Sequence, residues 1–432
     1  MNSPTNAIAL NRVTDLVQDD RVHSDVYTSP EIFELEMERI FHRQWLYIGH
    51  AAELPKHGDY RVRKMGRKSV IMVRGNDGRI RVLMNRCRHR GMAVCEQFQG
   101  NAKNFTCWYH GWVYSNQGDL LDVTQPEGYG DDFDRGAFGL TPAPRVEQYR
   151  GFVFASLSAT GESLSDHLGL AKRYFDYFEE ASPVGRIDVT AGVQRTVYRG
   201  NWKFVGMDGY HPYYTHKSVM DMWQARRDGN LGDTHRGDPF SDDSGNLTRD
   251  VGNGHVLLDM YGGRKRHLEH YLESLAKKPG GAQYIADMKA AYGEERAREL
   301  LIWAGDPHVG VYPNLQLIGI HIRIVHPIAV DETEVLMFPV LWEGVAPEIN
   351  SARLRVHESF YGPSSQGSPD DAELFERNQL GLQADIDPWV YLARGMHREK
   401  VDSDGSLIGM PGDETTQRGQ FKAWKKMMQE PA

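Results

Sequence analysis

The chain has 432 residues, 40% hydrophobic and 25% charged, with a formal net charge of −9 at pH 7. That is globular composition, long enough for two domains with a core each, and it excludes disorder as the default state. No apolar stretch approaches the ~18 residues of a membrane span, Met1-Asn2-Ser3-Pro4-Thr5 lacks a basic patch before an apolar core, and the basic residues are scattered. A cytoplasmic protein is expected, with neither membrane nor nucleic acid as partner.

Along the chain, Thr28-Ser29-Pro30-Glu31 reads as a helix start, with Thr28 or Ser29 as cap, Pro30 in the first turn and Glu31 closing a capping box. Ile32, Phe33, Leu35, Met37, Ile40 and Phe41 recur at helical spacing and are expected in a core. From Trp45 short β runs begin: Tyr60-Arg61-Val62-Arg63, Ser69-Val70-Ile71-Met72-Val73 and Arg79-Ile80-Arg81-Val82-Leu83. Gly75-Asn76-Asp77-Gly78 signals a hairpin, and Asn116-Gln117-Gly118 after Trp112-Val113-Tyr114 repeats the strand-and-turn pattern. A small antiparallel β domain is expected over 42–157.

Inside it lie Cys87-Arg88-His89 and, after seventeen intervening residues, Cys107-Trp108-Tyr109-His110. A Rieske [2Fe–2S] cluster keeps two thiolates on one iron and two neutral imidazoles on the other, so each of two loops must offer one Cys and one His. Both loops do, and Gly91 and Gly111 behind them let backbone amides approach the cluster. A structural zinc site would instead pair Cys with Cys and then His with His. The cluster claims Cys87 and Cys107 of three cysteines, which leaves Cys95 as a buried small hydrophobe and rules out a disulfide between remaining thiols.

Farther on, 224–255 is rich in Gly, Asp, Asn and Arg without periodicity, and is expected to be a mobile lid or channel wall. Ile318, Ile320, Ile322 and Ile324 show the alternation of a strand with one buried face, within a β run from Val309 to Leu341. Asp208-Gly209-Tyr210-His211-Pro212-Tyr213-Tyr214-Thr215-His216 places Asp208 and His211 on one helical face, and Pro212 should end or kink the helix so that His216 folds back toward His211. Two imidazoles and a carboxylate form the facial triad of non-haem Fe(II) oxygenases, although a His-x4-His pair among eighteen histidines is weak evidence alone.

These motifs in this order, with Gly200-Asn201-Trp202-Lys203 before Asp208 and Tyr312-Pro313-Asn314 before the late strands, resemble the catalytic α subunits of Rieske non-haem iron aromatic ring-hydroxylating oxygenases, from about residue 21 to about 400. The resemblance implies an α+β chain: a Rieske domain at 42–157 and a helix-grip catalytic domain at 158–432, an antiparallel sheet around a long helix, with 1–41 belonging to it. It implies that Cys87, His89, Cys107 and His110 bind the cluster and that His211 and His216 bind mononuclear Fe(II). The third ligand is then a late carboxylate four residues before a Trp or similar residue. Gln383-Ala384-Asp385-Ile386-Asp387-Pro388-Trp389 matches with Asp385; Asp387 is the rival, set aside because Asp followed by Pro suits a helix N-cap. Asp208 is implied to connect His211 to His110 of a neighbouring subunit. Between Lys203 and Asp208 about three residues of the family pattern are missing, almost one helical turn, which makes Phe204, Val205 and Met207 pocket or core candidates.

The implied function is the terminal oxygenase of a multicomponent dioxygenase acting on an aromatic small molecule and O2. No Gly-x-Gly-x-x-Gly follows a strand, so electrons from NAD(P)H must come through a separate flavin reductase, a ferredoxin or both. Monooxygenation, including O- or N-demethylation, uses the same ligands, and a non-catalytic Rieske electron carrier is the remote alternative. A head-to-tail ring is expected, a homotrimer or α3β3 with a small β subunit. Tyr210, Met220, Trp223 and Leu257 are candidates for an apolar slot, while scattered Arg and His residues could bind a carboxylated ring.

Overall fold

The structure is a computed structural model and describes residues 13–210, 242–303, 307–365 and 367–430. It divides into two units: Phe41–Leu164, and the chain up to Ile40 together with that from Ser165 onward.

The Phe41–Leu164 unit is built from three antiparallel sheets. In the first, Ile80–Met84, Lys68–Arg74, Asp59–Met65 and Gln99–Asn101 lie side by side in that order. The hairpin of its first two strands turns where Gly75-Asn76-Asp77-Gly78 lies, with Arg74 opposite Ile80 and Gly78 at φ +81°, so the expected turn chemistry sets the register. A second sheet joins Arg145–Tyr149, Phe152–Ser156 and Leu46–His50. The third, Asn104–Thr106, Val113–Ser115 and Leu120–Asp122, has the second Cys/His loop between its first two strands and the Asn116-Gln117-Gly118 turn between its last two. Ile71, Val73, Leu83, Phe105 and Tyr114 fill the space between the strands and both cluster loops.

The other unit is organised by a nine-stranded antiparallel sheet, in the order Gln194–Tyr198, Glu332–Pro339, His321–Ala329, Leu315–Ile318, His308–Val311, His255–Asp259, Leu247–Gly252, Leu407–Gly409, Lys400–Val401. The helix Thr415–Gln429 packs on it against Leu247–Gly252 and His255–Asp259 and buries Phe421, Trp424 and Met428. Two expectations are corrected here. Leu247–Gly252 and His255–Asp259 are paired core strands, Leu247 opposite Asp259, so the later part of the 224–255 segment is no lid; residues 224–241 lie outside the described residues. The isoleucine run is two strands, not one: Ile318 ends the first, Ile320 sits in the turn, and Ile322 and Ile324 belong to the second, whose residues His321–Pro327 are buried on both faces. Strands covered on both faces lose the alternation that marks a one-faced strand.

Near the N-terminus the helix Pro30–Glu36 is capped by Ser29, whose Oγ accepts from Ile32 N at 3.3 Å. No capping box forms, because Glu31 is one position too early and accepts from the Ser29 hydroxyl instead, at 2.8 Å. The helix continues as a π-helical turn, Met37–Phe41. All six apolar positions expected in its core are at most 3% exposed. Their periodicity did not reveal Glu36, which is fully buried with them.

Candidate functional site: two metal-binding regions

The two Cys/His loops fold alike. Cys87 N donates to Met92 O and Gly91 N to Cys87 O; Cys107 N donates to Trp112 O and Gly111 N to Cys107 O, all at 2.8–3.0 Å. Each loop therefore closes over the five residues after its Cys, through a Gly at positive φ, +83° at Gly91 and +70° at Gly111. A Cβ on Gly111 would come within 2.4 Å of Thr124 Oγ1, which donates to His110 O. A disulfide-free loop needs another brace, and Asn85 supplies it: Oδ1 accepts from Val94 N and Cys95 N, and Nδ2 donates to Cys95 O at 2.7 Å. All three cysteines are free and buried.

Two donor pairs result. The Cys87 and Cys107 thiols are close enough to perturb one another. The His89 and His110 rings lie 4.7 Å apart between centroids, and His89 Nδ1 is buried with no hydrogen-bond partner among the described residues. Burial, with His110 and Arg90 nearby, holds His89 below the usual imidazole range and so favours the neutral ligand form. Among the described residues no three His, Cys, Asp or Glu side chains converge on a single-ion site. Two loops that each offer one Cys and one His supply the donor set of a Rieske two-iron cluster. Trp112 stacks on His89 at 5.1 Å and is enclosed by Tyr129, Phe133 and Phe138. On the outer side, Tyr109 stacks on His110, and Trp108 is 87% exposed. Tyr114 Oη accepts from Arg88 N at 3.0 Å, which leaves its proton for Cys87 Sγ at 3.2 Å.

The second region centres on Asp208, at the end of the π-helical stretch Phe204–Asp208. Wide π turns are uncommon and often mark functional sites. Side chains from two elements satisfy the carbonyls in and just beyond this one: Gln316 Nε2 donates to Val205 O, Gln420 Nε2 to Gly206 O, Gln417 Nε2 to Asp208 O and Thr416 Oγ1 to Tyr210 O. Tyr27 Oη donates to Asp208 Oδ2 at 2.8 Å. Asp208 keeps part of its surface, yet lost solvation pushes its carboxyl up to about 7, against the pull of Tyr27 and Lys203. Behind it, Glu36 accepts from Lys203 Nζ (2.7 Å), Trp202 Nε1 (2.8 Å) and Trp424 Nε1 (2.7 Å). Burial pulls the Lys203 ammonium down, outweighing Glu36 and Asp208, which pull it up. Asn201-Trp202-Lys203 is thus an anchor, its partner Glu36 lying 167 residues away from Lys203 in sequence.

His211 and His216 lie outside the described residues, as do Met220 and Trp223. Asp385 occupies an exposed turn after the helix Ser368–Gly381, beside Ile386, which is 98% exposed, and among the described residues no contact ties it to Asp208. The reason for setting Asp387 aside is also corrected: no helix follows Pro388, which leads into the strand Trp389–Tyr391 paired with Arg21–His23.

A carboxylate not considered in the sequence analysis is Asp371. It lies in the first turn of Ser368–Gly381, and Asp371, Phe375 and Gln379 recur on one face of that helix. Phe375 stacks on Phe204 (5.9 Å, 10°), and Gln379 Oε1 accepts from Asn201 N. Asp371 lines a cavity with Val205 and Phe375, and both Asp208 and Asp371 act electrostatically on Tyr198. The Asp-x3-aromatic spacing occurs at Asp371–Phe375 as well as at Asp385–Trp389. Of the residues expected in a pocket, Val205 lines this cavity, whereas Phe204, Met207, Tyr210 and Leu257 are buried.

Comparison with known proteins agrees with this architecture. The Rieske [2Fe-2S] domain family matches residues 44–144. The large subunit of anthranilate 1,2-dioxygenase from Acinetobacter baylyi is 33% identical over 400 residues, 88% of this chain and 81% of that protein. The α subunit of an N,N-dimethyl phenylurea N-demethylase from Sphingobium sp. is 39% identical over 224 residues, 50% of this chain and 48% of its own. The crystal structure of naphthalene 1,2-dioxygenase from Rhodococcus sp. bound to indole superimposes with a TM-score of 0.79 at 26% identity, covering 98% of this chain and 97% of that one. The chain belongs to the Rieske non-haem iron oxygenases, among the large (α) subunits of aromatic ring-hydroxylating enzymes. It is an oxidoreductase whose cofactors are a Rieske [2Fe–2S] cluster and mononuclear iron.

Proposed function

We propose that the protein is the terminal oxygenase of a cytoplasmic multicomponent system that cis-dihydroxylates an aromatic ring. Cys87 and Cys107 hold one iron of the cluster and His89 and His110 the other; His211, His216 and Asp371 hold the mononuclear iron. The observation that carries this reading is the convergence of Asp371 and Val205 on one cavity beside the helix that ends at Asp208. When bound, the cluster supplies single electrons and the mononuclear iron supplies O2 activation.

The chain's own residues position these groups. Asn85 and the two loop glycines fix the cluster donors, while Glu36, Gln316, Gln417 and Gln420 fix the helix that leads to His211. Exposed Trp108 and Tyr109 beside His110 mark the face through which electrons pass to another molecule. The electron source is a flavin reductase, with or without a ferredoxin. Asp208 links His211 to His110 of the next copy in a trimeric ring, with or without β subunits, and Tyr27 holds its carboxylate in place.

Replacing Tyr114 by Phe should lower the reduction potential of the cluster by roughly 20–60 mV, the one-electron equivalent of about 0.5–1.5 kcal/mol for a lost hydrogen bond to sulfur. A redox titration reads it, and an unchanged potential would remove the hydroxyl from that role. For the reaction itself, chemically reduced enzyme given 18O2 and a single-ring arene should release a cis-diol carrying both labelled atoms. A singly labelled phenol, or formaldehyde from an N-methyl substrate, would move the assignment to monooxygenation.

A further inference from the structure

The same cavity holds a charge that the reading above does not use. Arg323 lies in the strand His321–Ala329, opposite Gln316 and Met337 on the neighbouring strands, and is only 8% exposed. It lines the cavity together with Asp371, Val205, Val335 and Met337. Buried guanidinium groups are normally neutralised by a carboxylate. Among the described residues none lies within ion-pairing distance of Arg323, although elsewhere in this unit Arg249, Arg296, Arg398 and Arg418 each have such a partner.

Neutral groups hold it instead. Arg323 Nε donates to His321 Nε2 at 2.9 Å, Nη1 reaches Gln316 Oε1 at 3.4 Å, and the guanidinium lies over the Tyr361 ring at 5.0 Å. With Nε2 of His321 accepting, its Nδ1 carries the proton and faces His357 Nδ1 at 3.3 Å. Burial holds His321 well below the usual imidazole range, and the nearby guanidinium adds to this, so the acceptor brings no opposing charge. Gln316 also donates to Val205 O, so the stretch that leads to Asp208 and the guanidinium share one amide side chain. Nη2 has no acceptor among the described residues. A planar fork held in orientation, still charged and open toward a cavity, is the form in which arginine binds carboxylates through two parallel hydrogen bonds.

We propose that Arg323 binds the carboxylate of the substrate, and that this oxygenase acts on an aromatic carboxylic acid. This rests on the cavity being the oxygenation site.

The test is calorimetric titration of anaerobic holoenzyme with benzoate and with benzamide, which has the same shape but no charge. Wild-type enzyme should prefer benzoate by on the order of 100-fold, the scale of losing one partner of a buried charge pair. In Arg323→Gln that preference should fall to within about threefold of unity, and Arg323→Lys should keep part of it, since a point charge attracts without the fork. Equal affinity of wild-type enzyme for the two ligands would overturn the proposal, whether or not the variants fold. So would a parallel loss of both ligands in folded, iron-loaded Arg323→Gln, which would make Arg323 a structural residue. Product analysis separates this inference from the reading beneath it: hydroxylation of toluene without benzoate sinks the carboxylate site alone, whereas no hydroxylation of either sinks both.

Discussion

Asp371→Ala should strip the mononuclear iron and reduce ring oxygenation more than about 100-fold, because even residues one shell behind a metal typically cost 10–100-fold in metal affinity or activity. The cluster should keep its spectrum, since Asp371 lies in the unit of the nine-stranded sheet and the cluster donors in the other. Asp385→Ala should retain iron and turnover and change stability by less than about 0.5 kcal/mol, as expected of an exposed turn residue. Iron analysis alongside product formation distinguishes the two. Iron lost from Asp385→Ala and kept in Asp371→Ala would return the ligand role to Asp385.

Glu36→Ala should be the most damaging change outside the metal ligands. It leaves the Lys203 ammonium buried without its anion and two indole N–H groups without an acceptor, and breaking a buried pair from one side costs about 3–5 kcal/mol. Urea denaturation should show this as a lower midpoint. The paired replacement Glu36→Leu with Lys203→Met should recover part of the loss, because two apolar groups avoid the desolvation of both charges. A double variant no more stable than Glu36→Ala would show that the ion pair stabilises the fold by more than its burial costs.

The Rieske loops were legible because their chemistry is local. Each ligand pair lies within four residues, the Gly turns follow in sequence, and the Gly75–Gly78 hairpin carries its own backbone requirement. The second region was legible only as far as local spacing reaches. Asp208 announces itself next to His211, but the proposed third carboxylate, Asp371, lies on a helix more than 150 residues later, where two segments share the Asp-x3-aromatic spacing. Trp389 favours Asp385 in the sequence, whereas the fold packs Phe375, four residues after Asp371, against Phe204. Glu36 and Arg323 were hidden for a related reason. A charge within an apolar run looks like a solvated face unless the opposing surfaces are known, and those surfaces are Trp202 with Trp424 in one case and His321 with Tyr361 in the other. The later part of the 224–255 segment was misjudged because its Gly-rich composition masked the strand Leu247–Gly252 and the start of His255–Asp259, whose stability comes from neighbouring strands.

The central claim, one chain joining a two-iron Rieske cluster to a separate oxygenating iron, is tested most directly by metal analysis with electron paramagnetic resonance of the reduced, anaerobically purified protein. About three irons per chain are expected, two in the cluster and one mononuclear, with no zinc and a reduced-cluster signal coupled to imidazole nitrogen. Stoichiometric zinc in a colourless protein, or about two irons with no mononuclear iron that O2 or substrate can perturb, would contradict it.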